Sequence, residues 1–235
     1  MTDQRVLLAV STVIFTVRPT GENGAHELWL PLVRRIRDPY RGMWALPGGP
    51  LRSNEALEDS AVRGLTLTTG LAPTHLEQLA TFGGLTRSAG AEERQVTVVY
   101  WASLPPQEAA RGENDLNVTW LRVTDLPDLA FDHSHIVAHA LERLRGRIAE
   151  PTVARAFLPE TFTIAALREV HEAIISKALD PSNFRRHVLS SGQLRDTGER
   201  LAGARHRPPT LYRFAAAEPP GLFRPSPSDR TEETP

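Results

Sequence analysis

Residues 6–17 form a nearly unbroken run of apolar and β-branched side chains with Ser and Thr interspersed, which reads as a buried strand. A Gly-bounded turn over 21–24 follows, then a second strand over 27–33 and a charged loop over 34–42. Residues 53–68 place Ala56, Leu57, Ala61, Leu65 and Leu67 at helical spacing, with Ser53 as a candidate N-cap. Strands are predicted over 76–82 and 95–104, either side of a polar loop over 83–93, and a short one over 117–123. Residues 132–148 predict an amphipathic helix whose stripe is Ile136, Val137, Ala140, Leu141, Leu144 and Ile148.

The period changes after residue 150. A joint is expected over 150–160, then a helix over 163–177 with Ile164, Leu167, Val170, Ile174 and Ile175 on one side. Asp180-Pro181 opens a second helix, with Asp as cap and Pro at the first helical position, and Ser191-Gly192 closes it. Short segments over 193–196 and 210–214 flank a basic loop. Mixed strands and helices over about 150 residues imply an α+β or α/β sandwich. The expected division is a first domain over 1–150, a second over 151–214, and a disordered Pro-, Ser- and acid-rich tail over 215–235.

Composition narrows the chemistry. Zero Cys among 235 residues removes disulfides, thiol catalysis and Cys-ligated zinc. No apolar run reaches the roughly 20 residues a membrane span needs, and no secretory signal pattern is present, so a cytoplasmic protein is the economical reading. The net charge of −1 hides an asymmetry: residues 1–140 carry −4, residues 141–213 carry +5 and the tail carries −2. An acidic first part and a basic second part fit a small-molecule domain joined to a polyanion binder, or an uneven scatter of surface charge.

Trp44-Ala45-Leu46-Pro47-Gly48-Gly49 leads into the helix bearing Glu55 and Arg63. Such a turn lets backbone N–H groups approach a ligand, and the helix start behind it favours phosphate or carboxylate. The spacing resembles the Nudix box, Gly-x5-Glu-x7-Arg-Glu-U-x-Glu-Glu-x-Gly-U with U aliphatic. Gly49, Glu55, Arg63, Leu65, Gly70 and Leu71 fall in register, while Gly64, Leu67 and Thr68 stand where the family carries metal-binding glutamates. Nudix hydrolysis needs those carboxylates to hold the divalent cations that activate water. Glu55, Glu58 and Asp59 repeat the i, i+3, i+4 spacing one turn too early, where acids complement the helix dipole.

In the second domain, Phe184, Val188 and Leu189 make an apolar face on the 181–190 helix, and Ser182, Asn183, Arg185, Arg186, His187 and Ser190 decorate the rest. Arg and Asn suit guanine and adenine edges in a major groove. A solvated helix hairpin with ordinary surface Arg accounts for the same pattern.

Both halves together resemble the Nudix-related transcriptional regulators of NAD metabolism, the NrtR family, over nearly residues 5–214. The resemblance is carried by Leu76-Glu77-Gln78-Leu79-Ala80-Thr81-Phe82, Leu158-Pro159-Glu160-Thr161-Phe162-Thr163, Asn183-Phe184-Arg185-Arg186 and His206-Arg207-Pro208-Pro209. It implies a Nudix-like α/β/α sandwich followed by a winged helix-turn-helix, forming a dimeric repressor of genes for NAD synthesis or salvage. The first domain would sense ADP-ribose or a related NAD metabolite through Arg41, Trp44, Leu46, Gly48, Gly49, Glu55, Arg63, Phe82 and Arg87. Arg63 has the alternative of bracing the loop through Glu55. The second would bind palindromic operator DNA through Thr163, the 182–190 side chains named above, and a wing bearing Arg205, His206 and Arg207. No cofactor or metal is required by this reading. The family's loop after the Phe82 position carries an Arg-Asp pair, whereas here Arg87 is kept and the acid is missing.

Two rivals remain: a working Nudix hydrolase on ADP-ribose or a nucleotide sugar, and a nucleotide-binding pseudoenzyme with a protein partner. His133, His135 and His139 have metal-like spacing, but capping and solvent-facing roles at a helix start are the plainer expectation.

Overall fold

The computed structural model describes residues 5–20, 24–73, 76–88, 93–110, 117–201 and 208–215. At its centre lies β1 (Val6–Thr20). It pairs antiparallel with β2 (Ala25–Arg34), Thr16 opposite Trp29, and parallel with β6 (Arg94–Leu104), Val10 opposite Val98. Outside β6 runs β5 (Glu77–Phe82). β2 also holds β3 (Trp44–Ala45) and β7 (Val118–Arg122), and β4 (Gly48–Pro50) pairs with the first half of β1.

The alternation of β1 sends its side chains to two layers, as a strand's period of two requires. Val10 and Ile14 pack with Ala61 and Leu65 of α1 (Leu57–Thr69). Val13, Phe15 and Val17 pack in the cluster that holds Ile136, Val137, Ala140 and Leu144 of α3 (His133–Arg147). A single turn, α2 (Pro106–Ala109), follows β6 and has no periodic signal of its own. Helix α1 starts later than its spacing suggested, and Ser53 does not cap it: Ala56 is the N-cap, with no side-chain bond. The reason is local. Arg52 N–H donates to the Glu55 carboxylate at 2.8 Å, which commits residues 52–55 to a turn.

The expected joint over 150–160 contains a helix, α4 (Pro151–Arg155), whose Val153 and Ala154 are buried. Then come α5 (Ile164–Ile175), α6 (Pro181–Ser190), β8 (Leu194–Arg200) and β9 (Thr210–Phe214). β8 and β9 form an antiparallel ribbon, and Phe162 adds a third edge through paired bonds with Tyr212 at 2.9 and 2.8 Å. This is a helix pair backed by a wing. Leu189 is 41% exposed, so the apolar face of α6 is Phe184 and Val188 alone. One core runs through both halves: Leu167, Val170 and Ile174 of α5 share the cluster of β2 and α3. Burying such side chains stabilises by about 1.5–3 kcal/mol each. Among the described residues no helix is long and apolar enough to cross a membrane.

Candidate nucleotide cleft and nucleic-acid interface

The Leu46–Gly49 segment is pressed onto β1. Thr12 donates its N–H to Pro47 O at 2.9 Å. Gly48 has φ +154°, and a Cβ there would stand 2.3 Å from Val10 O, so only glycine fits. Across the loop, a Cβ on Gly64 would lie 3.3 Å from Gly48 Cα. The absent side chain in α1 is therefore a packing feature: it lets the helix approach the turn. The loop is tied on its other side by Leu46 N–H, which donates to His133 Nδ1 at 3.0 Å. Glu55 and Arg63 lock the helix to the loop. The guanidinium donates to both carboxylate oxygens at 2.7 and 2.6 Å and to Pro50 O at 3.3 Å. That bidentate bond holds the Glu55 carboxyl at about 2, below its ordinary value.

These braces frame a cleft of about 770 Å³ lined by Leu46, Gly48, Gly49 and Pro50. Arg34, Arg35, Arg37 and Arg87 also line it, against one lining acid among the described residues, Asp38. Burial lowers the pKa of Arg87, and Asp132 opposes that shift through an ion pair at 3.1 Å. Arg87 also donates to Phe82 O at 3.2 Å. The acid missing from the Arg87 loop is thus supplied by Asp132, far away in the chain. Arg35 lies over the Phe131 ring at 4.5 Å, with Tyr40 edge-on to the same ring at 4.8 Å. Phe131 has φ +57°, a rare conformation for a bulky residue. Leu67 and Thr68 stand on the cleft wall, with the Thr68 hydroxyl donating to Gly64 O at 2.7 Å. No three His, Asp or Glu side chains among the described residues are grouped to hold a metal ion.

His133 is not solvent-facing: it is 5% exposed. Burial, then the charges of Arg87 and Arg35, push it down to about 3. Since Nδ1 accepts, the ring proton sits on Nε2. His135 and His139 lie edge-on to Phe82 at 5.9 and 5.8 Å.

In the second half, Asp180 caps α6 by accepting from Asn183 N–H at 2.8 Å. Ser182, Asn183, Arg185, Arg186, His187 and Ser190 are all exposed, and Arg186 donates to Asn183 Oδ1 at 2.7 Å. Phe184 packs edge-on to His171 at 5.2 Å, and burial followed by the His187 charge lowers His171 to about 4. Thr163 caps α5, accepting from Ala166 N–H at 3.1 Å. In the wing, Arg195 and Arg213 are directly opposed and both exposed. Like charges across a ribbon destabilise it, so this pair suits an anionic surface.

Residues 8–141 match the model of the NUDIX domain, and residues 154–214 match the model of the NrtR DNA-binding winged helix domain. The chain is 32% identical over 216 residues to the ADPR responsive transcriptional repressor NtrR of Acinetobacter baylyi, covering 89% of this chain and 82% of that one. The chain belongs to the NrtR family. The crystal structure of Shewanella oneidensis NrtR complexed with a 27mer DNA is similar across the same span, with a TM-score of 0.74 and 33% identity, covering 88% of this chain and 93% of that one. The ADP-ribose pyrophosphatase of Methanocaldococcus jannaschii is 28% identical over 106 residues, 45% of this chain and 62% of that one.

Of the residues singled out from the sequence of this NrtR-family chain, Leu46, Gly48, Gly49 and Arg87 line the cleft. Glu55 and Arg63 brace its loop from behind. Trp44 packs against the core and accepts from Ala130 N–H through its carbonyl at 2.8 Å, Phe82 supplies a carbonyl to Arg87, and Arg41 is exposed on the loop before β3. Arg205, His206 and Arg207 lie outside the described residues, as does the tail from residue 216. Sequence reasoning did not name Arg35, Phe131 or His133 as cleft residues, nor Asp132 as the partner of Arg87. The one available signal was the Ala130-Phe131-Asp132-His133 run, which marks the start of α3.

Proposed function

We propose that this protein is a homodimeric transcriptional repressor that binds palindromic operator DNA ahead of genes for NAD synthesis or salvage. Its effector is ADP-ribose or a related NAD metabolite, taken up in the Nudix-like cleft, and it works in the cytoplasm without a cofactor. The sensing unit ends near residue 150 and residues 151–214 bind DNA.

The observation that carries the reading is the charge of the cleft. Four lining arginines against one lining aspartate, with Asp132 paired to Arg87, still leave positive charge beside the Leu46–Gly49 turn and favour a diphosphate without a bridging cation. The positions that would hold metal carry Gly64, Leu67 and Thr68, none of which offers an anionic oxygen. The neutral His133 holds the turn at Leu46 and adds no charge to the site. Phe131, stacked with Arg35, offers a flat face for a base or ribose edge. On the DNA side, Asn183, Arg185, Arg186 and His187 on α6 are free of the core and suit base edges and phosphates, and Arg195 and Arg213 suit a backbone.

Footprinting on genomic fragments with and without ADP-ribose tests the whole reading. Protected palindromes whose protection changes with ADP-ribose are expected, together with calorimetric binding of ADP-ribose in excess EDTA. Failure to bind at millimolar ligand removes the sensor. The competing hydrolase reading draws on the likeness to the pyrophosphatase. It predicts magnesium-dependent formation of AMP from ADP-ribose, abolished by Glu55→Gln, and that result would replace the regulator reading.

A further inference from the structure

A second cavity, of about 500 Å³, opens where the starts of α5 and α6 meet the base of the wing. Arg168, Arg185 and Arg200 line it, and no carboxylate does among the described residues. Thr163, Ile164 and Ala165 form its floor. Thr163 satisfies the N–H groups of Ala166 and Leu167, but the N–H groups of Ile164 and Ala165 have no carbonyl within α5 to reach. One turn along, Arg168 Nε is buried without a hydrogen bond, and the nearest carboxylate, Glu172, is 3.8 Å away. Arg200 is steadied from the wing, donating to Pro208 O at 3.1 Å. Pro181 and Arg185 place the mouth beside the exposed side chains of α6.

We propose that this cavity seats a DNA backbone phosphate, with Arg168 and Arg200 as its clamps and Arg185 at its mouth. The inference rests on the DNA-binding reading and deepens it: α6 reads sequence, and this adjacent pocket sets how deeply α6 enters the groove. Arg185 and Arg200 line the cavity with no acid among its described lining residues, and Arg168 has only Glu172 at 3.8 Å; a phosphate accepts from each guanidinium fork as well as from backbone N–H. Because every step of a duplex carries a phosphate, the contact adds affinity without sequence preference.

The test uses the full chain, a fluorescein-labelled duplex of random sequence, and a genomic fragment that the parent protein protects. Anisotropy titrations over a range of salt give the slope of log K against log [salt]. Arg168→Gln and Arg200→Gln should each reduce that slope by about 0.9 and weaken both duplexes by the same factor. Arg168→Lys should keep the slope, since a point charge suffices for the counterion it displaces. If Arg168→Gln fails to fold, Arg200→Gln on the exposed strand carries the test alone. Unchanged slopes in folded variants, with parent binding intact, overturn the phosphate site and leave the DNA reading standing. The same result with loss of binding to an acidic peptide, polyglutamate, would reassign the pocket to a protein. No salt-dependent binding of any duplex by the parent overturns the reading beneath it.

Discussion

Replacing His133 by Leu removes the acceptor that holds Leu46 N–H and should act in two separable ways. At pH 7.5 the buried N–H left without a partner costs about 1–3 kcal/mol. The second effect is on pH dependence. In the folded protein His133 titrates at about 3, against 6.5 for an ordinary histidine. Between those values the unfolded chain binds the extra proton, so stability falls as pH drops from about 6.5 toward 3. At pH 5 the parent has lost about 2 kcal/mol from this one group, and the Leu variant has lost none of it. His171, also depressed, contributes equally to both proteins and cancels in the difference. Urea denaturation at pH 7.5 and pH 5 measures the two terms. The gap between parent and variant should narrow by about 2 kcal/mol on acidification, or a few degrees in Tm. An equal acid-induced loss in both proteins would mean that His133 is not buried neutral, and the account of the loop would fail.

Gly48→Ala should cost about 1–3 kcal/mol or more by forcing a Cβ against Val10 O, and should abolish ADP-ribose binding in calorimetry; a fully stable variant would contradict the pressed-down turn. Arg87→Ala should weaken ADP-ribose by about 1.5–3 kcal/mol, roughly ten- to a hundredfold, because a charged phosphate donor is lost; unchanged affinity in calorimetry would remove Arg87 from the site. Arg195→Gln should raise thermal stability by about 0.2–1 kcal/mol while weakening DNA on all sequences; a destabilised wing would show that the opposed arginines are not in conflict.

The strands and long helices were legible because their apolar periods are strong: β1, β2, α3 and α5 all sit within a few residues of their predicted bounds. The short pieces were not. β3 and β4 are two and three residues long and exist only because β2 and β1 offer an edge. Ser53 has the chemistry of a cap, yet Glu55 outcompetes it by drawing Arg52 into a turn and Arg63 onto itself. In the site, the backbone turn was visible as Pro47-Gly48-Gly49, because glycine advertises its conformation in the sequence. The arginine partner was not. Asp132 meets Arg87 across 45 positions, and Phe131 meets Arg35 across 96, so no local spacing reports either pair. Gly64 illustrates the opposite error. Read alone it weakens a helix; in place, it allows α1 to touch Gly48.

Helix α3 has one end in each business of the molecule. Its first residue, His133, ties the turn at Leu46, and its cap, Asp132, holds Arg87. Its last turn carries Arg145, which donates to Ile174 O at 2.9 Å and to the Ser176 hydroxyl at 3.1 Å, closing the end of α5. Fifteen residues make a rod about 22 Å long, too stiff to absorb a shift along its axis. Its far end meets α5, which packs against α6. One rigid element thus fixes the spacing between the turn at Leu46 and the end of α5.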